Sequence, residues 1–359
     1  MGKCKLCNLN VANKTNTHVV PHFLIESMIN VEGKKGRGRE LSIAIGKGVA
    51  NEYFGESVLP EKIEEFLGKT TLTDEEVEKI KEEQHHFSVD YFFCSDCENR
   101  FSEIENIYSK VKPVTQEDNT TLVSIPTSLS FLFWSSIIWR LSVTGISEFK
   151  IDSKEEKKLR NILNLILTTN KDQLIINCEL HKTLIDKYAY ILLKVDGDPK
   201  TLPGMCFGNP NLSMPYSFIL NNYILLFYKN KKHRNQIKQS FYGLEKLYEH
   251  APLNDIFNNQ ELIQNISVND YKDCIDNFTK TQVDSFLKVL KNNLKDIHQK
   301  AFGFKCDESL INQTIHKIVS DNPEIVGGRY SKENIISTFI DTIKEQYLKE
   351  KRDFKLQNY

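Results

Sequence analysis

Four of the eight cysteines stand in two pairs of identical spacing, Cys4-Lys5-Leu6-Cys7 and Cys94-Ser95-Asp96-Cys97. Thiolates spaced this way reach one ion from a tight knuckle. Two knuckles complete the tetrahedral four-cysteine set that holds structural Zn²⁺. The rival chemistry of such a pair is redox exchange, but two pairs, each beside strand-like sequence, favour a metal. The second pair also opens a helical pattern, whose N-terminal dipole favours thiolate charge. A structural Zn²⁺ is therefore expected at Cys4, Cys7, Cys94 and Cys97. Cys178, Cys206, Cys274 and Cys306 are isolated, and small buried hydrophobes are the expected reading for them.

Between the knuckles lies THVVPHF, where His18 ends a strand-like run just before Pro21. A neutral imidazole near pH 7 can take a proton from water, which makes His18 a candidate general base. Glu98 and Asn99 follow Cys97 at the start of the helical segment ENRFSEIE. Either could hold a divalent cation, because Mg²⁺ keeps most of its waters and needs few protein ligands. A helix turning 100° per residue can aim only one of these neighbours at the site. The alternative for Glu98 is a helix-start carboxylate favoured by the dipole, and for Asn99 a solvent-facing position. The loop GKKGRGR sets Lys34, Lys35, Arg37 and Arg39 among glycines. Backbone and side chain can then both approach phosphate, the alternative being an ordinary basic turn.

The order of these pieces resembles the HNH endonucleases of the His–metal finger group: a cysteine knuckle, a His-hydrophobic-hydrophobic-Pro strand end, and a second knuckle opening a helix. The resemblance implies a treble-clef zinc module and His18 as the base that activates water. It implies Glu98 at the position of a metal ligand, with Mg²⁺ or Mn²⁺ on the scissile phosphate of DNA, or of RNA. Thr17 and Val89 stand where that family usually carries an acidic residue and an asparagine. A bacterial group described as HNH-like is more similar still, through THVVPHFL, CSDCENRFSEIE and SSIIWR over about the first 145 residues. That likeness implies a setting in phage defence or mobile elements. The alternative function is a non-catalytic zinc module that binds nucleic acid or a protein partner.

The elements that must position these residues follow from periodicity. Thr15 to Val20 alternates as a strand, and Pro21 starts a helix carrying Phe23, Leu24, Ile25, Met28 and Ile29. LSIAI at 41–45 reads as a strand and the acidic stretch 52–86 as an insertion, with Thr73 and Glu76 forming a capping box. Phe87 to Phe93 reads as a strand running into the second knuckle. Beyond it Cys97, Phe101, Ile104 and Tyr108 share one helical face, and Glu98, Ser102 and Glu105 the next.

Residues 111–120 suggest a boundary between a zinc module (1–112) and a second domain (120–359). That domain opens with the apolar segment Ser128–Leu141, shorter than the roughly 20 residues a bilayer span needs, so a core helix is expected. A helix from Ser153 boxed by Glu156 comes next. Strands are expected at Gln173–Leu180, Tyr188–Val195 and Ser217–Tyr228, and helices at 281–301, 308–320 and 331–350. The fold class is thus α+β: a zinc-stapled, ββα-metal-like module followed by a mainly helical domain with a small antiparallel sheet. With a formal net charge of −1 over 359 residues, any nucleic-acid surface must be local. No export signal or membrane span is read, so a reducing cytoplasm is expected. The C-terminal helices are the candidate surface for a protein partner or a homo-oligomer.

Overall fold

A computed structural model of the chain describes residues 2–29, 41–45, 50–54, 60–61, 64, 71–77, 87–116, 119–146, 149–195, 206–208, 214–236, 243–320 and 332–357. The chain divides into two compact units, 1–36 with 85–277 and 37–84 with 278–359.

In the first unit, the segment around the second knuckle forms α2 (Ser95–Ser109), preceded in the chain by α1 (His22–Ile29). The face Cys97, Phe101, Ile104 and Tyr108 is buried as its 3-and-4 spacing requires. It packs on α3 (Thr127–Thr144), whose side chains from Thr127 to Ser142 are all buried. α3 is buried on every side and lies inside the protein, with Ser136 hydrogen-bonded within it and Arg140 and Ser142 to neighbouring helices. Phe93 and Phe101 pack against its Trp139, with the Phe93 and Trp139 ring centroids 5.9 Å apart. Gly145, at φ 73°, ends α3 in the left-handed conformation that favours glycine.

Behind α3 stands an eight-stranded sheet. Its strands are β5 (Pro113–Thr115), β6 (Thr120–Val123), β7 (Ala189–Val195), β8 (Cys206–Gly208), β9 (Tyr216–Leu220), β10 (Tyr223–Tyr228), β11 (Asn254–Asp255) and β12 (Glu261–Ile266). The order is β5-β6-β12-β7-β10-β9-β8, with β11 also on β7, and the β7–β12 pair is parallel. Strands β7, β9 and β10 are buried on both faces and so lack a polar alternation. The first unit also holds α4 (Ser153–Ile166), α5 (Lys171–Leu180), α6 (Lys182–Ile185) and α7 (Glu245–His250).

The second unit contains the hairpin β2 (Leu41–Ile45) with β3 (Ala50–Phe54). Its helices are the later part of α8 (Val268–Phe302), then α9 (Glu308–Ser320) and α10 (Lys332–Gln357). Leu290, Leu294, Leu310, Ile311, Ile318 and Phe339 form its core. Thr73 and Glu76 close the expected capping box, with the Glu76 amide donating to Thr73 Oγ1 at 3.2 Å and the Thr73 amide to Glu76 at 2.9 Å. No described helix is long and apolar enough to cross a membrane.

Several expectations give way. Gln173–Leu180 is helical: Asn170 caps it by accepting from the Gln173 amide at 3.0 Å, and Leu174 and Cys178 bury at helical spacing. Ser217–Tyr228 is two strands folded about Asn221, which adopts φ 55°. Strand β12 lies in a stretch where no strand was expected, and its parallel pairing with β7 makes the sheet large and mixed rather than small and antiparallel. Asp152, not Ser153 with Glu156, caps α4 by accepting from the Glu155 amide at 2.9 Å. Residues 113–115 and 120–123 are strands of the large sheet, so the stretch read as a boundary is built into the first unit.

Candidate metal centre and histidine cluster

The first knuckle is a tight turn. The Asn8 amide donates to the Cys4 carbonyl at 2.9 Å, and Asn8 takes a left-handed φ of 57°, which asparagine tolerates well. It is fastened to the approach of the second knuckle, since the Lys5 amide donates to the Phe92 carbonyl at 2.9 Å and the Lys14 amide to the Phe93 carbonyl at 3.1 Å. Cys94 is the N-cap of α2, and Asn13 completes the cap by accepting from the Ser95 amide at 3.1 Å. Residues distant in sequence thus hold the helix start.

The sulfurs of Cys4, Cys7, Cys94 and Cys97 all lie within 4.8 Å of one another, close enough to hold a metal ion. Donors surround them: Asn10 Nδ2 lies 3.7 Å from Cys94 Sγ and Arg100 Nη1 3.9 Å from Cys97 Sγ. Such outer contacts orient thiolate ligands and temper their charge. The hydrogen bond from Cys97 lowers the Cys4 thiol to about 4, while the same bond pushes Cys97 up and burial pushes Cys94 up. Crowded thiols resist shared deprotonation unless a cation joins them. Arg100 also anchors α2 to the end of α4, donating to the carbonyls of Leu167 at 2.7 Å and Leu163 at 3.2 Å.

His18 sits on β1 (Thr17–His18), paired antiparallel with β4 (Ser88–Val89). Thr15–Val20 and Phe87–Phe93 were expected as longer strands. Regular pairing stops at the Thr17–Val89 end, where Asn16 and Tyr91, with φ of 54° and 59°, turn the two segments. The Val19 amide donates to the Phe87 carbonyl at 2.6 Å, so the His18 carbonyl faces away from β4. Arg140 Nη1, from α3, donates to that carbonyl at 2.7 Å. Arg140 Nη2 donates to Glu105 Oε1 at 2.6 Å, and the guanidinium lies 4.8 Å above the Phe101 ring. The His18 ring is half-buried, and the exposed His22 ring stands edge-on to it with centroids 6.1 Å apart.

Glu98 reaches the same neighbourhood from the first turn of α2. Burial pushes its carboxyl above the ordinary range, Arg140 offsets part of the rise and Glu105 adds to it. The Thr17 hydroxyl approaches Glu98, yet Thr17 Oγ1 and Glu98 Oε2 are both buried without a closed hydrogen bond among the described residues. Asn99, one residue on, is exposed, as are Ser102 and His22. Lys34, Lys35, Arg37 and Arg39 lie outside the described residues. Sequence reasoning read Arg140 as the end of an apolar helix and as part of the SSIIWR likeness, with no role of its own. Its lone charge in that helix was the available signal. No protein-family model, curated protein or solved structure matches this chain.

Proposed function

We propose that this chain is a metal-dependent, HNH-like endonuclease that hydrolyses DNA phosphodiester bonds, in a phage-defence setting. Its four cysteines hold one structural Zn²⁺ in a treble-clef module. A tetrahedral zinc with bonds of about 2.3 Å needs sulfurs about 3.8 Å apart, and Cys7 and Cys94 Sγ are separated by 3.9 Å. The observation that carries the reading is the placement of His18 on a two-residue strand between the knuckles, beside a helix start that offers Glu98.

In this reading His18 accepts a proton from the attacking water, as a half-buried imidazole with access to solvent can. Glu98 would hold Mg²⁺ or Mn²⁺ through its unsatisfied Oε2. That ion would stabilise the pentavalent phosphate and the leaving oxygen. Asn99 points to the neighbouring exposed face and is the weaker ligand candidate. A second reading, a zinc module that binds nucleic acid or a protein partner without cutting, is favoured by one observation. Thr17 and Val89, the two departures from the family pattern, are direct cross-strand partners.

A plasmid nicking assay with Mg²⁺ or Mn²⁺ tests the choice. Wild type should cut, and His18→Ala should cut about 10² to 10⁴ times more slowly with zinc content and DNA affinity retained. Glu98→Ala should be partly restored by higher Mg²⁺, and Asn99→Ala should remain near wild type. Cutting by His18→Ala at the wild-type rate rejects the nuclease mechanism. A pure wild type that binds DNA but never cuts establishes the second reading.

A further inference from the structure

Arg140 is the point at which three separate segments of this chain meet. It belongs to SSIIWR in α3, donates to the carbonyl of His18 in THVVP at 2.7 Å, and pairs with Glu105 of FSEIE at 2.6 Å. It also donates through Nε to the Ser136 carbonyl at 3.3 Å. His18, Glu105 and Ser136 each lie on a strand or a helix, and Arg140 is only 1% exposed.

Stability alone gives little reason for this arrangement. Ion pairs buried this way can often be replaced by packed apolar side chains at little or no loss, and the Arg140 guanidinium already packs on the Phe101 ring. The unusual requirement lies in β1. It belongs to a two-stranded sheet, and its carbonyl at His18 faces away from β4, its one partner strand among the described residues. A buried carbonyl needs a donor. Arg140 supplies one and ties it, through the second guanidinium nitrogen, to the helix that carries Glu98.

Resting on the nuclease reading above, we infer that Arg140 is a positioning residue. It locks the backbone of His18 to α2, so that the imidazole and Glu98 keep a fixed separation. Being buried, it does not touch DNA. Lysine cannot replace it, because one ammonium cannot present the planar fork that reaches both acceptors.

The test uses the full chain with Arg140→Lys and, as a second route to the same loss, Glu105→Ala, which removes the acceptor of the second guanidinium nitrogen. Zinc content and thermal melting identify folded samples. The readouts are kcat and KM on plasmid DNA, and the ring resonances of His18 by histidine-labelled NMR, assigned from His18→Ala. The expected result is a kcat lowered about 10- to 100-fold, the usual scale of a small misplacement, with KM within twofold. The His18 ring resonances should shift or broaden while those of His250, in a distant helix, stay. Unmoved His18 resonances in both variants overturn the inference, as does a raised KM with unchanged kcat, which would mean direct DNA contact. If wild type does not cut, the nuclease reading falls, and the His18 resonances alone then decide whether Arg140 holds the strand.

Discussion

Cys94 carries two duties at once, as a sulfur of the four-cysteine cluster and as the N-cap of α2. Cys94→Ser keeps the cap, since serine is a good N-cap residue, but removes a thiolate. Loss of the metal should therefore dominate. Metal analysis should fall from one zinc per chain to near zero, and the resonances of residues 2–20 should collapse, because structural zinc contributes folding energy directly. A folded, untreated wild type without zinc would refute the assignment. The cysteines were legible in the sequence because their information is local: two residues of fixed spacing announce a knuckle. His18 and Glu98 could be singled out as candidates for the same reason, each lying next to a recognisable landmark. Arg140 was not, since its meaning depends on a carbonyl 122 positions away in the chain.

Among the elements, those with one buried face were the ones periodicity could find. The α2 face of Cys97, Phe101, Ile104 and Tyr108 is the clearest case. Strands β9 and β10 are apolar throughout, so the run from 217 to 228 carried no alternation to mark its break, and the left-handed Asn221 was the only cue. Segment LIINC in α5 misleads in the opposite way. Its Ile175 and Ile176 are β-branched but lie on exposed positions, while the Asn170 cap decides the conformation. The loop of Lys34, Lys35, Arg37 and Arg39 is an element whose role only a binding measurement can assign. If it follows the phosphate backbone, replacing all four with alanine should weaken DNA binding alike for every sequence. The slope of log affinity against log salt should also flatten. An unchanged slope in the titration would make the loop an ordinary solvated turn.

For the first unit as a whole, Glu261 is the keystone in the sheet. It is fully buried on β12 and accepts from Tyr108 of α2 at 2.8 Å, Trp134 of α3 at 3.1 Å and Tyr190 of β7 at 2.8 Å. Burial raises its carboxyl above the ordinary value of 4.5, against the pull of these donors. The sign follows: a raised folded value means that the stability linked to Glu261 is full below about 4.5 and is lost as pH rises through the folded value. Glu261→Gln keeps the shape and can still accept from Trp134 and Tyr190, but it cannot ionise. Denaturant titrations across pH should then show wild type losing stability relative to the variant as pH rises, by at most about 1.4 kcal/mol per pH unit. Parallel pH curves would remove Glu261 as the titrating group. Another feature of the whole chain has a topological meaning. Cys7 and Cys94 stand 87 positions apart, and residues 37–84 between them are grouped with the other unit. The covalent path between the knuckles is therefore a detour. A single scission within 37–84 would leave the amino-terminal piece held to the remainder by the cysteine cluster, the β1–β4 pairing and the buried Val19, Val20, Leu24 and Ile25. Such a nicked protein would behave as a two-part assembly, whose smaller half is joined to the larger by non-covalent contacts and by whatever metal the knuckles bind.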